Sequence, residues 1–81
     1  MIMAKVYITL KNGVLDPQGK AVQHSLESLG YKGVSDVRLG KYIELKLTDI
    51  HRRDAEERIK EMCERLLANT VIEDYRFEIE V

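Results

Sequence analysis

Residues 5–11 alternate between apolar and other side chains, and one side of the pattern is formed by Val6, Ile8 and Leu10. A period of two is typical of a strand that buries one face. Asn12 and Gly13 come next, and this dipeptide favours a turn. The chain is therefore predicted to begin with a half-buried strand followed by a turn.

A helix is predicted from Asp16 to Gly30. The Asp16 side chain can accept a hydrogen bond from a free N–H of the first turn, and Pro17 has the φ that the first helical position requires. Gly30 is suited to the left-handed position that follows many helices. The apolar positions recur at helical spacing in one narrow stripe: Val22, Leu26 and Leu29. The stripe predicts a surface helix that packs on a flat partner.

The region from Val34 to Thr48 allows two interpretations. Gly40 and Lys41 could form a hairpin turn, which would give the βαββαβ order of a ferredoxin-like domain. That turn would place Glu44 and Lys46 in the core. A single continuous strand instead puts the odd-numbered apolar residues on one face, with Lys41 as the exception: Val37, Leu39, Ile43, Leu45 and Leu47. The continuous strand is favoured, and at 3.3 Å per residue it would be roughly 45–50 Å long.

So long a strand exceeds the usual length in a small domain, which suggests an opened hairpin. We expect its first half to belong to the sheet of one subunit and its second half to pair with a neighbour, with Gly40 as the bend. The chain would then be an obligate oligomer.

The last part of the chain predicts a helix from about Arg53 to Ala68, with Asn69 as its C-cap, and then a strand over residues 71–81. The expected buried stripe of the helix is Ala55, Ile59, Met62 and Leu66. The alternating apolar residues of the strand are Tyr75, Phe77, Ile79 and Val81. The predicted fold is a small α+β domain spanning residues 1–81 and related to the ferredoxin-like class. Its order is strand, helix, long bent strand, helix, strand, with the sheet covered by two helices and completed by strand pairing between subunits.

The composition of the 81 residues is 44% hydrophobic and 33% charged, with a formal net charge of −1. This balance predicts a globular protein without general electrostatic attraction to nucleic acid or to anionic membranes. The N-terminus lacks the features of a signal peptide, and no run is long enough to span a bilayer, so a cytosolic location is expected. Cys63 has no second cysteine for a disulfide or metal pair, and its place near the apolar stripe favours a buried thiol.

Candidate catalytic chemistry is sparse. His24 and His51 lie at no recognised metal-ligand or triad spacing from a Cys, Asp or Glu, and no serine has a nucleophile-elbow context. The segment from Asp16 to Lys20 could hold an anion at a helix start, but it lacks the glycines and the Lys-Ser/Thr pair of a P-loop. The basic, aromatic pattern of RNA-recognition strands is also missing. We predict no catalytic, cofactor-binding or metal-binding residue in this chain.

Several segments together carry a family resemblance: VYITLKNGVLDPQGKAVQHSLESLGY, VRLGKYIEL and LLANTVIEDY. In this order and spacing they closely resemble the PurS subunits of phosphoribosylformylglycinamidine (FGAM) synthase, over almost the whole chain. The resemblance implies a subunit of a purine-biosynthetic ligase that converts formylglycinamide ribonucleotide to its amidine. In that assembly, a glutaminase subunit of PurQ type releases ammonia and a synthetase subunit of PurL type uses it, with ATP and Mg on the synthetase.

The resemblance further implies that this chain bridges those two subunits and forms a dimer or tetramer with itself. The interface positions it suggests lie at the first helix start and at the bend of the long strand: Asp16, Pro17, Gly19, Lys20, Arg38, Gly40, Lys41 and Tyr42. Lys41, as the polar exception on an apolar face, predicts an ionic contact across subunits. Local backbone geometry explains Asp16, Pro17 and Gly40 at least as well. The alternative function is a ferredoxin-like regulatory domain that binds a small molecule between paired subunits.

Overall fold

The computed structural model describes residues 1–48 and 50–80. The elements in chain order are strand β1 (Ile2–Leu10), helix α1 (Pro17–Ser28), strand β2 (Gly40–Leu47), helix α2 (Arg52–Met62) with a π-helical turn (Cys63–Leu67), and strand β3 (Glu73–Glu80). The predicted order of strand, helix, strand, helix and strand is confirmed. Within the described residues, neither helix is long and apolar enough to cross a lipid bilayer.

The three strands form one antiparallel sheet with β1 in the centre, in the order β2-β1-β3. The register places Val6 opposite Ile43 on one side and Phe77 on the other, which makes an apolar row across the sheet. The alternation predicted for β1 is confirmed, because the side chains on one face are almost fully buried: Ile2, Ala4, Val6 and Ile8. The core of the described residues lies between this face and α2.

Helix α2 buries a different stripe from the one predicted. Ala55 and Ile59 are buried as expected, but Met62 is 36% exposed and Leu66 is 82% exposed, while Cys63 is completely buried. Cys63 follows Ala55 and Ile59 at i, i+4 spacing in the regular helix, and a π turn begins there, in which the Ala68 N–H donates to the Cys63 carbonyl at 2.9 Å. Because a π turn repeats every five residues, Ala68 rather than Leu66 follows Cys63 on the buried side. The predicted buried thiol is confirmed, and burial raises the pKa of Cys63.

Strand β3 alternates as predicted, with Tyr75, Phe77 and Ile79 packed against the core. Val81, the last residue of the predicted strand, lies outside the described residues. The C-cap prediction for Asn69 was wrong, because Ala68 is the cap. Asn69 instead organises the following turn: its Oδ1 accepts from the Val71 N–H, and its own N–H donates to Glu73 Oε1 at 2.7 Å.

The middle of the chain contains no hairpin at Gly40, as predicted, because β2 pairs with β1 from Gly40 to Leu47. Two parts of the prediction were wrong. The strand begins at Gly40 rather than Val34, and its second half pairs with β1 of the same chain rather than with a neighbour. Residues 31–39 belong to neither helix nor strand, and we term this segment the arm.

Helix α1 begins after Asp16 and ends in a Schellman motif, with Gly30 at φ +95°, as predicted. However, the core cluster of the described residues contains no α1 side chain, so α2 alone covers the sheet within this chain. The dimensions of 50 × 25 × 15 Å and the Cα radius of gyration of 16.2 Å reflect this arrangement. A compact chain of this length would have a radius of about 12 Å. The α1–arm half therefore extends away from the core.

Candidate functional site

Asp16 joins the start of α1 to the arm. Its Oδ1 accepts from the Gly19 N–H at 2.9 Å, and its Oδ2 accepts from the Leu39 N–H at 2.9 Å. The two N–H groups, that of Gly19 above all, hold the pKa of Asp16 below its ordinary value. One carboxylate thus caps the helix and fixes the last residue of the arm.

Gly19 lies against the arm. It is buried, and a Cβ atom there would overlap the backbone carbonyl oxygen of Val37. One helical turn later, Gln23 Nε2 donates to the carbonyls of Val34 at 3.1 Å and Ser35 at 3.2 Å. The face of α1 that carries Gly19 and Gln23 therefore lies along the arm, and the helix and arm form one unit.

Arg38 connects this unit to the sheet. Its Nη1 donates to Asn12 Oδ1 at 2.6 Å, and its Nη2 donates to the carbonyl of Leu10 at the end of β1. Gly40, two residues later, is the first residue of β2 and lies opposite Thr9. Arg38 thus holds the arm where the chain enters the sheet.

Tyr42 lies on the sheet face opposite α2. Its ring centroid is 5.2 Å from that of Tyr7, and the guanidinium of Arg76 lies 4.0 Å above the Tyr7 ring. The Tyr42 hydroxyl donates to Glu44 Oε2 at 2.9 Å. Partial desolvation, and then Glu44, raise the pKa of Tyr42. Tyr42 remains 52% exposed, so this aromatic and guanidinium surface can contact another chain.

Lys41 points to the other face of β2. Its Nζ lies 3.7 Å from Glu73 Oε2, and its side chain is 62% exposed whereas that of Glu73 is 13% exposed. Lys41 therefore has a carboxylate partner, Glu73, within its own chain, whereas the sequence predicted an ionic contact with another subunit. A contact of Lys41 with another subunit stays a prediction.

The eight predicted interface residues separate into two groups. Asp16, Gly19, Arg38 and Gly40 meet at the junction of α1, the arm and the sheet. The other four are exposed around that junction: Pro17, Lys20, Lys41 and Tyr42. Gln23 and Asn12 were missed. Gln23 could have been found, because it follows Gly19 at i+4 on the same helix face.

Several large apolar side chains in the described residues are exposed. Those near α1 are Val22 at 36%, Leu29 at 74% and Tyr31 at 61%, and those beyond α2 are Leu66 at 82% and Val71 at 80%. Exposed apolar side chains in such numbers favour contact with other protein surfaces.

The titratable residues of the described part of the chain form no group of three or more that could hold a metal ion. His24 lies on the exposed surface of α1, and His51 is the exposed residue before α2. The organised features are instead the junction around Asp16, the arm and the exposed apolar side chains. Together they define a small α+β module that presents surfaces for contact with other proteins.

Comparison with known proteins identifies the family. Residues 3–81 match the family model described as PurS, phosphoribosylformylglycinamidine (FGAM) synthase. The chain is 60% identical to the PurS subunit of FGAM synthase from Bacillus subtilis, over 99% of this chain and 94% of that protein. The chain belongs to the PurS family of FGAM synthase subunits, as its resemblance suggested.

Solved structures agree with this assignment. The fold matches B. subtilis PurS with a TM-score of 0.90 at 59% identity, covering all of both chains. It also matches a chain in the structure of PurLQS from Thermotoga maritima, with a TM-score of 0.85 at 30% identity over 99% of both chains. The predicted α+β fold class is confirmed by these neighbours.

Proposed function

We propose that this chain is the bridging subunit of FGAM synthase, and that it holds a glutaminase subunit of PurQ type against an ATP-dependent synthetase subunit of PurL type. The observation that carries the proposal is the match, over nearly the full length of both chains, to a chain of the T. maritima PurLQS structure. ATP and Mg would bind to the synthetase partner rather than to this chain. The assembly would act in the cytoplasm, as expected for a subunit of a biosynthetic ligase.

The contribution of a bridging subunit is positional. Ammonia released at one active site is protonated or diffuses away unless the second site is close. Holding the two sites in register raises the effective concentration of ammonia at the synthetase. A chain with this role needs contact surfaces rather than a nucleophile. The exposed apolar side chains and the Tyr42 surface are suited to it.

Self-association is the second part of the proposal. The stripe of α1 does not join the core of its own chain. Within the described residues, residues 32–38 make no hydrogen bond to another backbone group, although the carbonyls of Val34 and Ser35 accept from Gln23 Nε2. Backbone N–H and C=O groups without backbone partners are a template for pairing with another strand. We therefore expect the chain to be a dimer or tetramer.

The predicted interface residues take two roles in this proposal. Asp16, Gly19, Arg38 and Gly40 would act indirectly, by fixing the arm for its partner. The exposed residues Pro17, Lys20, Lys41 and Tyr42 would contact other subunits themselves. The family assignment does not favour the alternative of a small-molecule regulatory domain.

The test is glutamine-dependent formation of the amidine by the separate glutaminase and synthetase subunits, with and without this chain. We expect glutamine-dependent activity only when the chain is present, while the reaction driven by added ammonia proceeds without it. If the chain changes neither reaction, with all subunits folded and from one source, the bridging role is wrong.

Lys41→Ala tests a direct contact in the same assay. We expect it to reduce assembly and glutamine-dependent activity, while Lys60→Ala, an exposed change on α2, leaves both unaltered. Full assembly and activity with Lys41→Ala would remove this residue from the interface.

A further inference from the structure

The end of α2 carries an apolar surface that the core does not account for. Leu66 is 82% exposed, although a regular continuation of the helix would favour its burial, and Met62 is 36% exposed. The π turn over Cys63–Leu67 leaves Leu66 on the outside. Such turns are rare in helices and are frequent at functional sites. The turn therefore builds an exposed surface instead of adding Leu66 to the core.

Met62 and Leu66 lie in an open groove of about 520 Å³, and its other lining residues are Arg58, Glu61 and Arg65. We term these five residues the α2 groove. Met62 and Leu66 are four positions apart, so they are neighbours along one side of the helix. Arg58 lies one turn before Met62, and Arg65 adjoins Leu66. The groove is thus apolar along its length, with an arginine near each end.

The arginines of the α2 groove are available to the carboxylates of a partner. Within the described residues, Arg58 makes no ion pair. Arg65 lies 3.2 Å from Glu61, but the two side chains are 77% and 57% exposed, and such a surface pair contributes little stability. Two arginines outnumber one carboxylate in the groove, so the groove attracts negative charge.

We propose that the α2 groove receives an amphipathic helix of a partner subunit. The apolar stripe of that helix would pack on Met62 and Leu66, and its carboxylates would pair with Arg58 and Arg65. A helix fits because the groove follows one side of α2, and side-chain rows on one helix pack into the grooves of another. The inference rests on the bridging function proposed above and adds the surface and the chemistry of one of its contacts.

The position of the α2 groove suits a bridging subunit, which needs contact surfaces that face in different directions. Tyr42 and Tyr7 lie on the sheet face opposite α2, whereas the groove lies on the helix side of the molecule. One chain can therefore contact a different partner on each side. A second copy is a poor occupant of the groove, since a two-fold contact would bring together the same excess of arginine.

Binding of the separate glutaminase and synthetase subunits to variants of this chain tests the apolar contact. Leu66→Ala changes an exposed side chain, so the fold should stay intact. We expect it to weaken the binding of one of the two subunits about tenfold and to leave the other unchanged. Leu66→Met keeps the apolar volume and should bind like the original chain. The affinities are measured by isothermal titration calorimetry.

Arg58→Glu tests the charged contact with the same subunit. We expect it to weaken binding about tenfold at low salt and by a smaller factor at about 0.5 M salt, because salt screens exposed charges. Lys60→Glu is the matched control. It makes the same change of charge on the same helix, about 200° around the axis from Arg58 and outside the groove. It should leave the affinity unchanged.

The inference is wrong if Leu66→Ala and Arg58→Glu bind both subunits like the original chain, or if Lys60→Glu weakens binding as much as Arg58→Glu. A smaller oligomeric mass of Leu66→Ala in light scattering would show that a second copy occupies the groove and would also overturn it. The glutamine assay with the original chain reports on bridging independently. Full bridging activity of that chain, together with normal binding by both variants, would remove this inference alone.

Discussion

At the level of single residues, the junction of α1 and the arm depends on Asp16, which has two hydrogen-bond partners, and on Gly19, where there is no space for a larger side chain. Asp16 uses one carboxylate oxygen for the Gly19 N–H and the other for the Leu39 N–H. Gly19 lets the Val37 carbonyl come against the helix backbone. Conservative substitutions of Asp16 or Gly19 should therefore lower the stability of the protein more than substitutions of an ordinary surface residue do.

Asp16→Asn is expected to lower the thermal midpoint at pH 7 by a few degrees. Asparagine can cap the helix, but the two N–H groups meet different carboxylate oxygens, and in asparagine one of those oxygens is replaced by an NH₂ group that cannot accept. The measurement is thermal unfolding followed by circular dichroism. Glu27→Gln, an exposed change on the same helix, is the control and should have little effect.

The difference between the aspartate and asparagine proteins should depend on pH. The folded-state pKa of Asp16 lies below its ordinary value of 3.8, so the stabilisation is complete above that value and is lost as the pH falls through the lower folded-state pKa. The two midpoints should therefore converge as the pH falls below 3.8. A constant difference from pH 7 to pH 2 would contradict this role of the carboxylate.

Gly19→Ala should destabilise the protein, although alanine stabilises most helix interiors by about 1 kcal/mol relative to glycine. The added methyl group would overlap the Val37 carbonyl oxygen, so α1 and the arm must separate. Urea unfolding measures the effect, with the neighbouring exposed change Gln18→Ala as control. A Gly19→Ala protein as stable as the original would mean that the two segments are not held as described.

At the level of the elements, the π turn after α2 decides which residue follows Cys63 into the core. Ala55, Ile59 and Cys63 form the buried side of the regular helix, and the turn brings Ala68 onto that side while Leu66 is 82% exposed. A regular continuation of the helix at 3.6 residues per turn would favour Leu66 instead. The turn thus sets both the core and the exposed apolar surface beyond α2.

Ile59→Ala is expected to lower the free energy of unfolding by about 2–5 kcal/mol, because it removes a completely buried side chain. Leu66→Ala, at a position 82% exposed, should change it by no more than about 0.5 kcal/mol. Urea unfolding at one fixed protein concentration compares the two. Equal losses would indicate that Leu66 belongs to the core, as the regular helical spacing suggests.

At the scale of the whole molecule, the chain divides into a packed half and a half that extends away from it. The sheet and α2 bury the core, whereas α1 and the arm contribute mainly to the 50 Å length. Burial of the α1 stripe and pairing of the arm require a second chain. Association and stability should therefore be linked.

The thermal midpoint is expected to rise by several degrees when the protein concentration is increased 100-fold, since only the folded chain can associate. Calorimetry over a series of concentrations, with reversibility checked in each scan, measures this dependence. A midpoint that stays constant from low micromolar to millimolar protein would contradict self-association linked to folding.

Part of the functional site could be predicted from the sequence. The eight predicted positions include the four residues that meet at the junction, because Asp16, Gly19, Arg38 and Gly40 lie in the segments that carry the family resemblance. The contacts of Arg38 with Asn12, and of Gln23 with the arm, were not predicted. These contacts join residues more than ten positions apart, and no local pattern encodes such distances.

Local signals were enough to predict several elements from the amino-acid sequence. They depend on residues within a few positions of one another: the alternation in β1 and β3, the start of α1 at Asp16 and Pro17, its end at Gly30, and the exclusion of a hairpin at Gly40. Four features became known from the folded chain alone: which strand β2 pairs with, where that pairing begins, which residues beyond Ile59 are buried, and the position of α1 away from the core. Each of these depends on contacts between distant segments, where burial and backbone pairing outweigh local propensity.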